Sequence, residues 1–346
     1  MGGAHATRGR TVEKIERQLR EEAARLLAEG KADVVIGFEA GTLPLTAAPA
    51  FITKPEEASR LVWNEACGQN LAKFVHDVQM AHREAQKRLK PADRKKKTVA
   101  VVAPGCTTRS IAIHLNEKQY GRDEVVVLGV PCTGVVDRRK LLAAAGAEEL
   151  LGGSAESGRI RVTTAAGEKD IALDKVLADS CRTCRLNNPV LSDAMLGPEA
   201  PPKDFEREYE AVDRFEALPE EERWAAFQRE MAKCMRCYAC RNACPSCYCR
   251  VCFLEQSQPQ WIGIGQDKSD VELFQLMRMY HMAGRCVDCG TCSAVCPMGV
   301  DLHKFLKKLD KDAFVLFGHR AGVSPDEPAP LSTAREDDPE EFVFNP

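Results

Sequence analysis

The feature that most constrains this chain is a repeated spacing of cysteines. Cys234, Cys237, Cys240 and Cys244 follow C-x2-C-x2-C-x3-C and precede Pro245; Cys286, Cys289, Cys292 and Cys296 repeat the pattern before Pro297. Two-residue gaps let three thiolates curl over three corners of one [4Fe–4S] cube, with turn amides directed at its sulfurs. The fourth cysteine, stiffened by its proline, heads away and reaches the other cube. The expected ligand sets are therefore Cys234, Cys237, Cys240 and Cys296 on one cube, and Cys286, Cys289, Cys292 and Cys244 on the second. Zinc ribbons are the plainer alternative, but they take two ligands from each C-x2-C unit and do not need this doubled arrangement.

The compartment matters to that reading. The N-terminal stretch "MGGAHATRGRTVEK" has no apolar run, and the longest such runs, such as "VVVLGV" at 125–130, are strand-sized. A cytoplasmic protein without direct membrane insertion is expected, and in a reducing compartment 16 cysteines argue for metal rather than disulfides. The 48 basic and 51 acidic residues leave a net charge of -3, so neither nucleic acid nor an anionic membrane surface is an expected partner.

Along the chain, "TVEKIERQLREEAARLLAE" (11–29) has helical spacing of apolar residues, and "ADVVIGF" (32–38) reads as a buried strand. A second helix is expected to open at Pro55 and run on to about residue 89. "TVAVVAPG" and "DEVVVLGVPC" are strands, each followed by a helical segment. The expected fold is an α/β N-terminal domain with a mainly parallel sheet, followed by a mostly α-helical dicluster ferredoxin domain. The boundaries fall at 1–200 for the α/β domain, 201–230 for a linker helix and 231–320 for the dicluster domain. An acidic, Pro-rich tail spans 321–346, either mobile or a strap that orders on a partner. Ser269 and Glu272 form a capping-box pattern, and Asp301 reads as a helix cap.

Two resemblances extend this reading. "AGRCVDCGTCSAVCPMGVDL" and the helix expected between the two runs are similar to the helical dicluster modules of succinate dehydrogenase and heterodisulfide reductase subunits. "VVVLGVPCTGVVDRRKLL" (125–142), "CRTCRLNNPVLSDAMLG" (181–197) and the early segment "LLAEGKADVVIGFEAGTLPLTAAPAFITKPEEASRLV" resemble the deazaflavin-dependent hydrogenase/dehydrogenase beta-subunit family. That resemblance implies a further [4Fe–4S] cluster held by Cys132, Cys181 and Cys184, with Cys106 as the fourth ligand and Cys67 as its substitute. It also implies a flavin, FAD, beside the cluster. The glycine-rich segment that helps seat the flavin in that family is not matched by "MGGAHATRGR", and no G-x-G-x-x-G replaces it.

Cys247, Cys249 and Cys252 belong to neither ferredoxin set. They could form a fourth metal site, completed by Cys67 or shared with a partner chain, or they could pack as apolar filler beside Tyr248 and Phe253. Arg236, Arg241, Arg250 and Arg285 flank the clusters, either offsetting thiolate charge or simply solvated. The helical histidines His76, His82, His114, His281 and His303 read as surface or packing residues. The favoured function is an iron–sulfur relay subunit of an anaerobic multisubunit oxidoreductase, of heterodisulfide-reductase-like, hydrogenase or formate-dehydrogenase type. Its partners would be flavin or iron–sulfur subunits. The rival is a flavoprotein that exchanges hydride with a diffusible carrier and feeds its own clusters.

Overall fold

The computed structural model describes residues 3–156, 158–201, 207–336 and 338, without the side chains of 3–11 and 156. The first helix, α1 (Gly3–Ala28), buries Ile15, Leu19, Ala23 and Leu26. It leads into β1 (Val34–Ala40), β2 (Ala47–Ile52) and the two-residue β3 (Leu61–Val62). Then come α2 (Ala72–Gln86), β4 (Val99–Ala103), α3 (Gly105–Asn116), β5 (Val125–Gly129) and α4 (Arg138–Ala145).

One sheet has the order β2-β1-β4-β5 and is closed by β9 (Ala194–Met195), with β3 also paired to β1. The β1, β4, β5 and β9 pairings are parallel, and β2 and β3 are antiparallel to β1. All five residues of β4 are buried, which is why that strand reads as an unbroken apolar run. Pro49 sits in β2, the edge strand, where a missing amide donor is tolerated.

Two expectations are corrected here. The helix expected from Pro55 to about 89 is instead a 3-10 turn (Pro55–Arg60), then β3, then a loop, before α2 starts at Ala72. Asn64 breaks it: its side chain accepts from the Ala66 N–H at 2.9 Å, giving the backbone a turn instead of a helix. The second correction is a separate antiparallel sheet, β6 (Gly152–Glu156), β7 (Arg159–Thr164) and β8 (Gly167–Ala172), which the α/β alternation does not announce. Short helices α5 (Leu173–Val176) and α6 (Asp179–Arg182) return the chain to the main sheet.

The second half is helical: α7 (Glu210–Glu216), α8 (Glu220–Met231), α9 (Ala239–Ala243), α10 (Lys268–His281), α11 (Thr291–Ala294) and α12 (Leu302–Phe317). Residues 202–206 of the expected linker lie outside the described residues. Asp301 caps α12 by accepting from the Lys304 N–H at 3.4 Å. The expected capping box on α10 is not formed. Asp267 is the N-cap and Glu272 faces Lys268 at 3.8 Å instead of reaching back to the backbone.

The two halves are tied by polar contacts from α3. Arg109 donates to the carbonyls of Ala321 (2.8 Å) and Val287 (2.9 Å), His114 Nε2 to the carbonyl of Pro245 (2.8 Å), and Arg285 makes two bonds to Glu117 (2.6 and 2.7 Å). The start of the expected tail also lies on this helix, with Ala321 buried and Asn116 donating to the Pro325 carbonyl at 2.9 Å. Residues 337 and 339–346 lie outside the described residues. No helix is long and apolar enough to cross a membrane among the described residues.

Candidate metal centres

The N-terminal cysteines gather at the carboxyl ends of the parallel strands, where open α/β sheets place their functional loops. Cys106 lies in the first turn of α3, directly after β4, and Cys132 follows β5, its N–H donating to the Asn187 carbonyl at 3.0 Å. Cys181 is on α6 and its Sγ accepts from the Val135 N–H at 3.4 Å. The 186–188 segment closes on α3 only because Gly105 has no side chain: a Cβ there would stand 2.0 Å from the Leu186 carbonyl oxygen. The result is a cavity of about 260 Å³ lined by Cys67, Cys106, Cys132, Cys181 and Cys184. Cys289 of the second ferredoxin run completes that lining.

Desolvation raises the Cys106 thiol well above its ordinary pKa, and the nearness of Cys289, Cys132, Cys184 and Cys181 adds to it. Cys67 is pushed up to about 12 by burial, and its Sγ accepts from the Asn64 N–H at 3.4 Å within its own loop. The structure thus places Cys67 at the N-terminal cavity and not with Cys247, Cys249 and Cys252, which line a different one. Cys67, offered by the sequence reading to complete that trio, instead lines the N-terminal cavity with its Sγ engaged in its own buried turn.

In the helical half, Cys234, Cys237, Cys240 and Cys296 line one small cavity, so the crossover set expected from spacing is brought together. The two loops share a backbone device. Arg236 (φ 51°) and Tyr238 (φ 61°) flank Cys237, as Asp288 (φ 59°) and Gly290 (φ 71°) flank Cys289, all in the left-handed region. Two left-handed residues around the middle cysteine turn the chain so that three thiols face one side, and the Arg236 N–H points at Cys234 Sγ at 3.4 Å. Such conformations cost about 1–3 kcal/mol at non-glycine residues and are kept where a site requires them. Arg236 is anchored by its guanidinium, which donates to the Gly263 carbonyl at 2.8 Å and to the Gly265 carbonyl at 2.5 Å. Asp288 is held by His303 and by Lys307 at 2.7 Å. Burial works to raise the Asp288 carboxyl, but His303 and Lys307 hold it well below the usual range.

The second set is also adjacent. Burial raises the Cys244, Cys286 and Cys292 thiols, the last up to about 12, and Cys244 and Cys289 both stand near Cys292. α9 packs on α11, which carries Cys240 and Cys292 towards each other.

Between the two sets lies a residue that the sequence reading passed over. Arg278, on the buried stripe of α10 with Val271, Phe274, Gln275 and Met279, is 2% exposed. It donates to the Cys240 carbonyl at 2.9 Å, while its Nε and Nη1 have no hydrogen-bond partner. Burial lowers its pKa, yet Cys240, Cys244, Cys292 and Cys247 outweigh that and the net shift is upward. A charge on an otherwise apolar helical stripe was the available signal. Three residues earlier on the same face, Gln275 points Nε2 at Cys234 Sγ at 3.4 Å.

These features suit iron–sulfur clusters. Buried thiols with raised pKa values need a cation to be ionised, and unpartnered guanidinium N–H groups need an acceptor such as cluster or cysteinyl sulfur. Among the described residues no group of three or more His, Cys, Asp or Glu side chains is placed to hold a single metal ion.

Comparison with known proteins agrees with the helical half. Residues 230–300 match the family model described as a 4Fe-4S dicluster domain. This segment is a 4Fe-4S dicluster domain. The chain is also similar to the F420-dependent formate dehydrogenase subunit beta of Methanocaldococcus jannaschii, 30% identical over 108 residues, 31% of this chain and 27% of that one. The F420-dependent formate dehydrogenase 1 subunit beta of Methanococcus maripaludis is 30% identical over 116 residues, 34% of this chain and 28% of that one. The match thus spans little more than a quarter of the length of these relatives. A chain of the xenon-derivatised F420-reducing [NiFe] hydrogenase complex from Methanosarcina barkeri aligns with a TM-score of 0.34 and 16% identity, over 50% of this chain and 62% of that one.

Proposed function

We propose that this chain is an iron–sulfur electron-relay subunit of a multisubunit oxidoreductase, working in the cytoplasm of an anaerobe beside flavin or iron–sulfur subunits. Three [4Fe–4S] clusters would be held by Cys234, Cys237, Cys240 and Cys296, by Cys286, Cys289, Cys292 and Cys244, and by Cys106, Cys132, Cys181 and Cys184. Each such cluster supplies one-electron chemistry; the protein sets spacing, burial and potential. Cys67 lines the third site as a fifth thiol, engaged within its own turn.

The observation that carries this reading is the placement of Cys289. It belongs to the second ferredoxin run and yet lines the N-terminal cavity beside Cys106, so the third site abuts the second. Arg278, in turn, bridges thiols of the second and first sets. The sites therefore form a continuous series instead of isolated centres. The relatives that are subunits of F420-dependent formate dehydrogenases support a place in a similar complex.

The test is iron, sulfide, zinc and flavin per chain on anaerobically purified protein, with EPR of the reduced state. About twelve irons or more with matching sulfide are expected. Zinc without sulfide would overturn the relay. One flavin per chain would move the weight to a subunit that itself handles hydride.

A further inference from the structure

The three cysteines that the dicluster pattern does not use share a cavity of their own, of about 710 Å³, between α2, α10 and the 241–253 loop. Cys247, Cys249 and Cys252 line it, and no other cysteine does. Cys252, with Phe253, packs against the helical core, but Cys249 is exposed, as are Arg250 and Val251 beside it, so apolar packing does not account for the whole trio. Three thiols within six residues can cover three corners of a cube, as in the ferredoxin runs, but the fourth corner has no thiol to meet it. Cys244 is the nearest candidate, its carbonyl accepting the Cys247 N–H at 3.2 Å, and it is committed to the second set.

The wall of this cavity is cationic. Lys73, Arg241, Arg278 and Arg285 line it against the carboxylates of Asp77 and Glu117. Lys73 is paired with Asp77, Arg285 with Glu117, and Arg241 with Glu255. Arg278 makes no ion pair with a carboxylate among the described residues and keeps two buried N–H groups without acceptors. Tyr248, stacked on His76 at 4.8 Å and reached by Arg285 at 2.8 Å, fixes the loop that presents the thiols.

We propose that Cys247, Cys249 and Cys252 bind a fourth iron–sulfur cluster through three thiolates only, leaving one iron open to a small anionic ligand held in this cationic cavity. The proposal goes beyond the relay reading, which assigns no iron an exchangeable ligand. It makes this corner of the molecule a binding site at the end of the cluster series, next to Cys244.

The experiment uses the full chain, purified anaerobically, beside a Cys247→Ala/Cys249→Ala/Cys252→Ala variant. The wild type should hold about sixteen irons and the variant about four fewer, with matching sulfide. The EPR signals of the other clusters should persist. Brief oxidation should produce a three-iron signal in the wild type, because an iron without a protein ligand leaves first, and none in the variant. Cyanide, a small anionic probe, should alter a reduced-cluster signal in the wild type alone. Should the triple variant lose the other signals as well, Cys249→Ser at the exposed position takes its place. Equal iron in wild type and variant overturns the proposal, as does cyanide leaving every signal unchanged. About twelve irons in both would leave the relay standing while removing this site, whereas zinc in place of iron would remove the relay itself.

Discussion

Replacing Arg278 with Gln removes a buried positive charge that stands among Cys240, Cys244, Cys292 and Cys247 while keeping a polar side chain of similar reach. The guanidinium is bonded to the Cys240 carbonyl at 2.9 Å and stands near thiols of both ferredoxin sets. At an effective dielectric of about 20, a unit charge about 6 Å from a cluster changes the energy of one added electron by about 3 kcal/mol. That energy corresponds to about 120 mV for a one-electron couple. Relaxation and partial compensation by backbone dipoles reduce it, so a fall of roughly 50–100 mV is expected in the midpoint potentials of the clusters nearest Arg278. The sign follows from charge: each cluster gains an electron on reduction, and loss of a neighbouring cation disfavours the reduced state. The assay is an EPR-monitored redox titration of Arg278→Gln against wild type, at equal iron and sulfide content. Arg278→Lys should recover part of the shift. Unchanged potentials in both cubes, with iron content intact, would refute the placement of this charge between them.

The crossover of ligands gives a second expectation. Cys296→Ala should alter the cluster bound by Cys234, Cys237 and Cys240, and Cys244→Ala the other, each read by EPR of separate reduced signals; the opposite assignment would undo the crossed sets. Gly290→Ala should lower Tm at a cost of about 1–3 kcal/mol, because the residue sits at φ 71° and its Cβ would stand 2.3 Å from Ser180 Oγ; Ser180→Gly in the same chain should restore part of the loss. His114 supplies a pH dependence. Burial lowers its pKa to about 3, and its Nε2 donates to the Pro245 carbonyl across the two halves. The unfolded chain therefore binds a proton below about pH 6.5 that the folded chain refuses until about pH 3. Stability is full above 6.5 and falls by about 1.4 kcal/mol per pH unit below it, or about 2 kcal/mol by pH 5. Denaturant unfolding at pH 7 and pH 5 checks it, and His114→Gln should flatten the difference.

Much of the candidate site was legible because metal ligation is written in spacing. C-x2-C-x2-C-x3-C-P needs only local turns to bring three thiols together, and the same two left-handed positions recur in both loops. "TVAVVAPG" (98–105) read as a strand from its apolar run, and β4 is buried throughout because parallel strands are covered on both faces. The helix expected at Pro55 failed where turn chemistry at Asn64 outweighed an amphipathic pattern, and the β6–β8 sheet failed to announce itself because its alternating residues are few and flanked by glycine. The expected capping box on α10 failed for a related reason: Glu272 has a nearby lysine to answer, and local sequence does not say which partner it takes.

The sequence by itself determined the number of thiols, the repeated spacing that groups eight of them into two runs, and the α/β-then-helical order of the chain, because each of these follows from short-range spacing and periodicity. Only the tertiary structure decided which distant groups meet. It set Cys289 against Cys106, placed Cys67 at the N-terminal cavity, laid the 321–325 segment along α3, and buried Arg278 where two thiol sets face each other. Such meetings depend on how helices and strands pack, across more than a hundred residues of intervening chain for Cys106 with Cys289 and for Arg109 with Ala321, and no local pattern encodes that distance.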